Sequence, residues 1–506
     1  MSSNSLQRSI DWVQLHALQR PEDVAFIEPE SATTWTWRRL RDEADQIAQF
    51  LASANVSAGD RVALLAPNGV HNLTILIACA RLGAIFLPLN WRLSRDELRH
   101  VLDDAEPALW LVHENMLELA LGIGGRHVLT VLEHVMCWRE DIRIPAPAVD
   151  DDSPALLIYT SGTTGVPRGA VLSHRALRES AEQFVEGLSL NSRDINYASA
   201  PLFHIAGLAT LTLPLLMVGG TSVISNSKEP REILDHITEH RCTCAFFVPA
   251  VWRRVVAPEV SRMNDFITMR FGLVGGAPCP PELRRRCAAA GVPLSIGYGM
   301  TEAAPMVTLL PHHESGDEGC VGYPGERISL EIRSPEGARL DDGEIGQVHI
   351  SAPNLMSGYW TGEGSPLDTG RLRGGWFASH DLGYIDPEGR LVLVGRMHDM
   401  IITGGENVHP EEVERALMRT FGDALEECAV LGVSGGEFGE RVCCALVWRG
   451  GPFSQENAIA KLREHLAGYK IPRQFMLLDA LPRNGTGKVD RGALRRFFKN
   501  QDILAS

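Results

Sequence analysis

Residues Tyr159-Thr-Ser-Gly-Thr-Thr-Gly-Val-Pro-Arg168, followed at once by Gly169, decide how this chain is read. The apolar triplet Leu156-Leu157-Ile158 ahead of them reads as a buried strand, and Ala170-Val171-Leu172-Ser173-His174 resumes apolar order behind them. A strand, a small hydroxyl-rich loop and then a helix is an arrangement that wraps phosphates. Glycines let backbone N–H groups approach an anion, and Ser and Thr hydroxyls add uncharged donors. The Gly-Lys-Ser/Thr that opens a Walker helix is missing. Five hydroxyl side chains in so short a run, counting Tyr159, exceed what a Gly/Thr-rich surface turn needs.

Outward from this loop, the chain has the make-up of an ordinary enzyme. It is 506 residues long, 44% apolar and 22% charged, enough for a large core and for about three domains of roughly 150 residues. A net charge of −15 argues against nucleic acid or acidic membrane surfaces as partners. The first ten residues lack a basic cap followed by an apolar run, so no signal peptide and a cytoplasmic location are expected. Ile205 to Ser227 carries no charge, but Pro214 and Gly219-Gly220 interrupt it. It reads as a buried helix, a turn and a buried strand, Thr221 to Ile224, and not as a membrane span. The ten cysteines show no zinc-binding spacing and read as small buried side chains in a reducing compartment. Of 48 basic residues only five are Lys (228, 461, 470, 488 and 499), so a Lys that is kept, such as Lys488, draws notice.

Strand-like and helix-like segments alternate from about residue 10 to 395, which predicts mostly parallel sheets covered by helices. Residues 320–395 change to short alternating strands between Gly/Asp turns, the pattern of a small β-barrel or meander. From Arg396 a unit of about 110 residues begins, with a helix at Pro410 to Met418, strands at Cys428 to Val433 and Arg441 to Trp448, and a helix at Ala458 to Leu466. The expected architecture is α/β: a large N-terminal domain, 1–395, with the β-barrel-like part at 320–395, and a small mobile α+β C-terminal domain, 396–506.

Other segments complement the loop. Gly275-Gly-Ala-Pro278 ends a strand without bulk, leaving room for a flat ring. Gly297-Tyr-Gly-Met-Thr-Glu302 puts a ring, a hydroxyl and a carboxylate on one tight loop, and Trp376-Phe-Ala-Ser-His-Asp381 delivers a carboxylate after a strand. Stacking ring, ribose acceptor, metal acceptor and phosphate donors are the inventory for a nucleoside triphosphate with Mg²⁺.

In wording and order these motifs resemble the adenylate-forming superfamily, which includes acyl- and aryl-CoA ligases, adenylation domains of peptide synthetases and firefly-type luciferases. The resemblance runs from Trp35-Thr-Trp37 through Gly83-Ala-Ile-Phe-Leu-Pro-Leu-Asn90 to Lys488. Pro88-Leu-Asn-Trp-Arg-Leu93, Pro201-Leu-Phe-His204 and the run from Gly395 to Pro410 look most like bacterial acyl-CoA and aryl-CoA ligases. The resemblance implies ATP, CoA and Mg²⁺, and it assigns roles by position. Thr160, Ser161, Gly162, Thr163, Thr164 and Gly165, with Arg168, would hold the phosphates. Gly275, Gly276 and Ala277 would bracket adenine with Tyr298 and Gly299. Thr301 would touch the α-phosphate, Glu302 with Thr164 the Mg²⁺, and Asp381 and Arg396 the ribose. Lys488 would bridge the substrate carboxylate and the α-phosphate, and His204 would line the acyl entrance. Gly404 and Gly405 would border the pantetheine tunnel, and His398 stands at the hinge.

Three positions depart from the family wording. Pro167-Arg168-Gly169 replaces Pro-Lys-Gly, Ser379-His380-Asp381 replaces Thr-Gly-Asp, and His398 replaces Asp or Lys. Arg is a planar fork and not a Lys point charge. A His at 380 adds bulk and gives up the φ > 0 freedom of Gly. Beside the full two-step ligase stands an alternative, an enzyme that thioesterifies acyl-AMP supplied by a separate adenylating ligase. A stand-alone adenylation enzyme loading a carrier protein and a non-catalytic nucleotide-binding regulator are further alternatives. The expected acyl wall, Phe203, His204, Phe246, Val248, Ala250, Gly297 and Met300, is apolar with small residues interspersed and suits a hydrophobic acid. The absence of an Asp at the start of Ala245-Phe-Phe-Val-Pro249 argues against an amino acid.

Overall fold

Continuous apolar runs become the buried strands of parallel sheets, because helices cover both faces. The computed structural model describes residues 10–123, 129–138, 149–161, 167–262, 264–397, 399–403, 406–436, 439–484 and 488–505. Its chain divides into two compact units. The first runs to Leu330 and takes in Ile350–Phe377 and Gly389–Leu391; the second holds Glu331–His349, Ala378–Glu388 and everything from Val392 onward.

The first unit contains two sheets. In one, the order is Gly358–Tyr359, Pro167–Ser173, Pro154–Ser161, Ile85–Pro88, Arg61–Leu65, Leu109–Val112 and Leu129–Val131. Arg61–Leu65, Ile85–Pro88 and Leu109–Val112 pair in parallel, and every residue of the three is buried. The helix His71–Leu82 beside them is buried almost all round, as a helix deep in a layered core must be. Ser94 opens the helix Arg95–Ala105 with a capping box, its hydroxyl accepting from the Glu97 N–H while the Glu97 carboxylate accepts from the Ser94 N–H. In the other sheet, Val24–Glu28, Thr221–Ile224, Ile195–Ala198, Cys244–Phe247, Phe271–Gly275 and Leu294–Gly299 run parallel side by side. Met306–Leu310 and Cys320–Pro324 continue it in antiparallel sense.

Two local expectations are corrected here. The phosphate-loop segment is not strand, loop and helix: Pro154–Ser161 and Pro167–Ser173 form an antiparallel hairpin, and the helix His174–Leu188 starts only after it. Gly169 to Leu172 stays extended because Ala170 and Val171 pair with Tyr359 and Gly358 on the other edge; the helix waits for Ser173, whose hydroxyl caps the Ala176 N–H. Asp381 lies within the strand Trp376–Ile385, not after it. There Phe377, Ser379 and Asp381 occupy the buried alternate positions.

In the second unit, Ser329–Arg333, Gly346–Ser351, Trp376–Ile385 and Leu391–Arg396 lie side by side in that order, each strand having its greater part in this unit. The long hairpin Leu425–Gly436 and Gly439–Trp448 carries Gln474–Leu477 in parallel on one edge, and the helix Pro410–Phe421 packs on it. Back in the first unit, Ile205–Gly207, the π-turned stretch Leu208–Thr212, Leu213–Val218 and the strand Thr221–Ile224 reproduce the helix, turn and strand expected of the uncharged segment. No described helix is long and apolar enough to cross a membrane.

Candidate active site

The candidate groups on Phe271–Gly275 and Leu294–Gly299 sit where parallel strands end, the edge at which α/β sheets bind ligands. The two strands are neighbours, with Gly275 opposite Gly297. A methyl group at Gly275 would meet the Gly297 carbonyl oxygen at 2.8 Å and the Phe246 ring at 3.4 Å, and one at Gly276 would meet Val248 at 3.6 Å. Residues expected at the adenine edge and in the acyl wall are therefore neighbours. Phe246 is buried, while Val248 is 40% exposed. Phe203 lies edge-on to Trp91 at 6.1 Å, and the Arg92 guanidinium stands 5.7 Å from the Phe203 ring.

Tyr298 is not on the tight loop that the sequence suggests. It lies at the end of the strand Leu294–Gly299, where a bulge shifts the pairing with Met306–Leu310, and Thr301–Ala303 then forms a single 3₁₀ turn. Close packing imposes this. A Cβ on Gly299 would lie 1.7 Å from the Pro305 carbonyl oxygen, so the chain folds back at van der Waals contact. Two residues earlier, Gly297 meets nothing nearer than Leu273 at 3.6 Å. Fully buried Asn354 holds the turn by donating to the Ala303 and Met306 carbonyls at 2.5 and 2.7 Å. The Met356 N–H donates to the Glu302 carbonyl at 2.8 Å.

Thr301 is buried, and the Glu302 carboxylate accepts from the Tyr359 hydroxyl at 2.5 Å. Arg371 reaches the same hydroxyl at 3.2 Å and stands 3.9 Å from Glu302. Burial, and then the charge of Glu302, push the Tyr359 hydroxyl well above the ordinary phenol pKa, so it remains a donor. Arg168 leaves the hairpin to pair with Asp368, and its guanidinium lies 3.8 Å from the Tyr359 ring centroid. Tyr159, counted among the hydroxyls of the motif, donates to Asp104 at 2.5 Å, a structural commitment. Thr160 lies across the hairpin from Arg168, and Ser161 ends its first strand; Gly162, Thr163, Thr164 and Gly165 lie outside the described residues. His204 opens a helix, its Nδ1 accepting the Ala206 N–H at 3.2 Å, which assigns the neutral ring's proton to Nε2. Tyr359, Asp368 and Arg371 are not found by sequence reasoning. The one signal for them, an aromatic after Gly358, gains meaning only when strand pairing brings it beside Ala170.

In the second unit the Asp381 carboxylate, 6% exposed, accepts from Arg396 Nε at 2.9 Å. The Ser379 hydroxyl donates to the Val348 carbonyl and accepts the Asp381 N–H. His380 between them has φ of 65°, in the left-handed region, and its carbonyl accepts the Met397 N–H at 2.9 Å. The substitution therefore leaves the backbone in a conformation that favours glycine. Lys488 is exposed on a loop closed by Asn484, whose side chain accepts the Lys488 N–H at 3.0 Å and whose N–H donates to the Lys488 carbonyl at 2.8 Å. His398, Gly404 and Gly405 lie outside the described residues. Elsewhere in this unit, Arg491 is shared by Glu414 at 3.0 Å and Asp399 at 3.5 Å. Burial, and next Glu414, raise the Glu411 carboxyl to about 7.

The donors suit Mg²⁺. Among the described residues no three His, Cys, Asp or Glu side chains converge on a metal position. A lone Glu302 carboxylate is the protein share expected of an ion that keeps its waters and takes other ligands from phosphates.

The description AMP-binding enzyme matches residues 13–360, and AMP-binding enzyme C-terminal domain matches residues 412–488. The chain belongs to this family of adenylate-forming enzymes. Feruloyl-CoA synthase from Amycolatopsis sp is 37% identical over 469 residues, 92% of this chain and 94% of that protein. ATP-bound MatB from Rhodopseudomonas palustris superposes with a TM-score of 0.89 at 28% identity, covering 97% of this chain and 99% of the other. o-Succinylbenzoate CoA synthetase from Bacillus subtilis, in complex with its acyl-adenylate intermediate, gives 0.86 at 30% identity, covering 96% and 98%. The protein is an AMP-forming acid–thiol ligase of the acyl-CoA and aryl-CoA branch.

Proposed function

We propose that the protein joins a hydrophobic carboxylic acid bearing an aromatic ring to CoA in two steps through an acyl-AMP. The observation that supports this reading is the adjacency of Phe246, Val248 and Gly297, expected in the acyl wall, to Gly275 and Gly276, expected at the adenine edge. Phe203 and Trp91 add aromatic faces. The 37% identity to a feruloyl-CoA synthase supports an aryl acid.

A carboxylate is a poor electrophile. In the first step its oxygen attacks the α-phosphorus of ATP, pyrophosphate leaves, and a mixed anhydride forms. Thr160 to Gly165 and Arg168 hold the β- and γ-phosphates, Thr301 touches the α-phosphate, and Lys488 bridges it to the attacking carboxylate. Asp381 and Arg396 take the ribose hydroxyls, while Gly275 to Ala277, Tyr298 and Gly299 bracket the adenine. Glu302, with Thr164, would hold Mg²⁺, which when bound neutralises phosphate charge. In the second step the CoA sulfur attacks the acyl carbonyl, giving up its proton, and AMP leaves. His204 lines the acyl entrance and Gly404 and Gly405 the pantetheine path. A C-terminal domain, 396–506, turning at His398 withdraws Lys488 for this step.

A second reading, thioesterification alone, draws on Arg168 and His380. Two observations weigh against it. His380 keeps the left-handed φ, so Asp381 is presented as it would be beside glycine, and Arg168 has a partner and a ring to lie on. The deciding experiment measures pyrophosphate and AMP release from ATP with a panel of aryl and fatty acids, then CoA ester formation from synthetic acyl-AMP. Ferulate-like acids turning over in both assays support the proposal. Ester formation from acyl-AMP with no release from ATP establishes the second reading, and Arg168→Lys with His380→Gly should then restore adenylation.

A further inference from the structure

Two groups of opposite charge are asked to face ATP from one corner of the first unit, and nothing in their chemistry prevents them from pairing with each other. Arg168 is a permanent cation and Glu302 a carboxylate. Their attraction would draw them together, and a closed ion pair would neutralise both. Among the described residues they do not pair. Arg168 bonds to Asp368, and Glu302 to Tyr359 and Arg371.

The side chain common to both is Tyr359. Its ring face carries the Arg168 guanidinium at 3.8 Å, and its hydroxyl donates to Glu302 at 2.5 Å. Tyr359 is 3% exposed, so it has little room to turn. Strand pairing fixes its backbone: Tyr359 lies opposite Ala170, and the next N–H, of Trp360, donates to the Gly169 carbonyl at 2.7 Å. Tyr359 also exchanges both backbone hydrogen bonds with Asp368, at 2.8 and 2.9 Å, which places the Arg168 counter-ion beside the ring. Arg371, whose guanidinium lies 4.5 Å from the Phe377 ring centroid, approaches Glu302 from the hydroxyl end.

We propose that Tyr359 is a positioning residue for adenylation, a spacer that keeps the phosphate-directed Arg168 and the metal-directed Glu302 apart, each held at a fixed point. The proposal rests on the reading above, in which both groups face ATP. It also suits arginine at 168, since a planar guanidinium can lie flat on a ring while an edge nitrogen donates to a carboxylate, a better match than a point-charge ammonium.

Tyr359→Phe keeps the ring and removes the hydroxyl; Tyr359→Leu removes both contacts. Binding of α,β-methylene-ATP is titrated calorimetrically with and without Mg²⁺, alongside pyrophosphate release, CoA ester formation from synthetic acyl-AMP and thermal unfolding. In Tyr359→Phe the tightening produced by Mg²⁺ should fall about tenfold, the worth of one hydrogen bond to a charged group, with pyrophosphate release falling in proportion. Ester formation from acyl-AMP should stay within about twofold, because it needs neither Arg168 nor Glu302. Tyr359→Leu should weaken binding even without Mg²⁺. An unchanged Mg²⁺ increment, or equal losses in both half-reactions, overturns the role of Tyr359. If the wild-type protein binds no α,β-methylene-ATP and releases no pyrophosphate, the reading of the site fails first and this proposal falls with it.

Discussion

Arg168 and His380 both depart from the family wording, and the molecule treats them in opposite ways. Around Arg168 the neighbours supply contacts: Asp368 gives a counter-charge and Tyr359 a ring. Around His380 the backbone keeps φ at 65° and the residue bears the strain. One change is absorbed by side chains that meet the new group; the other is tolerated at a cost of about 1–2 kcal/mol, the penalty of left-handed φ for a residue with a Cβ. On the proposed reading, accommodation of the first kind bears on ligand binding, and of the second on stability.

That contrast can be broken most forcefully at Arg168. Arg168→Ala should slow pyrophosphate release about a hundredfold, the loss typical of one preorganised charge contact, and leave ester formation from acyl-AMP nearly unchanged. Equal effects on both steps would erase the distinction.

Stability comparisons must be made at a chosen pH, because two groups shielded from water titrate in opposite directions. His174 is fully buried, and burial lowers its pKa to about 4. Its unfolded value is higher, so the stability it contributes is complete above about pH 6.5 and is lost as pH falls toward 4, by about 3 kcal/mol. Glu411, raised to about 7, works the other way: folded chains hold its proton more tightly, and stability falls as pH rises from about 4.5 to 7. Denaturant titrations from pH 4 to 8 on His174→Gln and Glu411→Gln should flatten the acid and neutral limbs respectively.

Arg168→Lys should raise the KM for ATP roughly fivefold, about 1 kcal/mol, since an ammonium loses the stacked fork. The smallest effect is expected at His380. His380→Gly should raise the unfolding midpoint by about a degree at most, about 1 kcal/mol offset in part by the greater chain entropy of glycine, with ATP turnover preserved. A drop in midpoint would mean that the imidazole makes contacts worth more than the strain.

Much of the fold is readable in the letters because apolar run length and turn chemistry act locally. Arg61–Leu65, Phe271–Gly275 and the helix from Pro410 follow from their own residues. The hairpin around the phosphate loop does not, since Ala170 and Val171 are held extended by Tyr359 and Gly358, nearly 190 positions away. Asp381 is legible as a carboxylate but not in its place, because strand alternation through a left-handed residue leaves no mark in the letters. Asp368 and Arg371 escape for the same reason as Tyr359: an exposed-looking charge gains a role only from what the sheet sets beside it.

Gly297 and Gly299, two residues apart on one strand, differ in a way that matters for redesign. The second has no space for even one carbon atom, so the bend it makes is closed to variation. The first has room for a Cβ, 3.6 Å from Leu273, and an ordinary backbone, which makes it a dial. If Gly297 lines the acyl site as proposed, alanine there should shift preference toward smaller acids with the fold intact, which kcat/KM across an acid series and the unfolding midpoint would check.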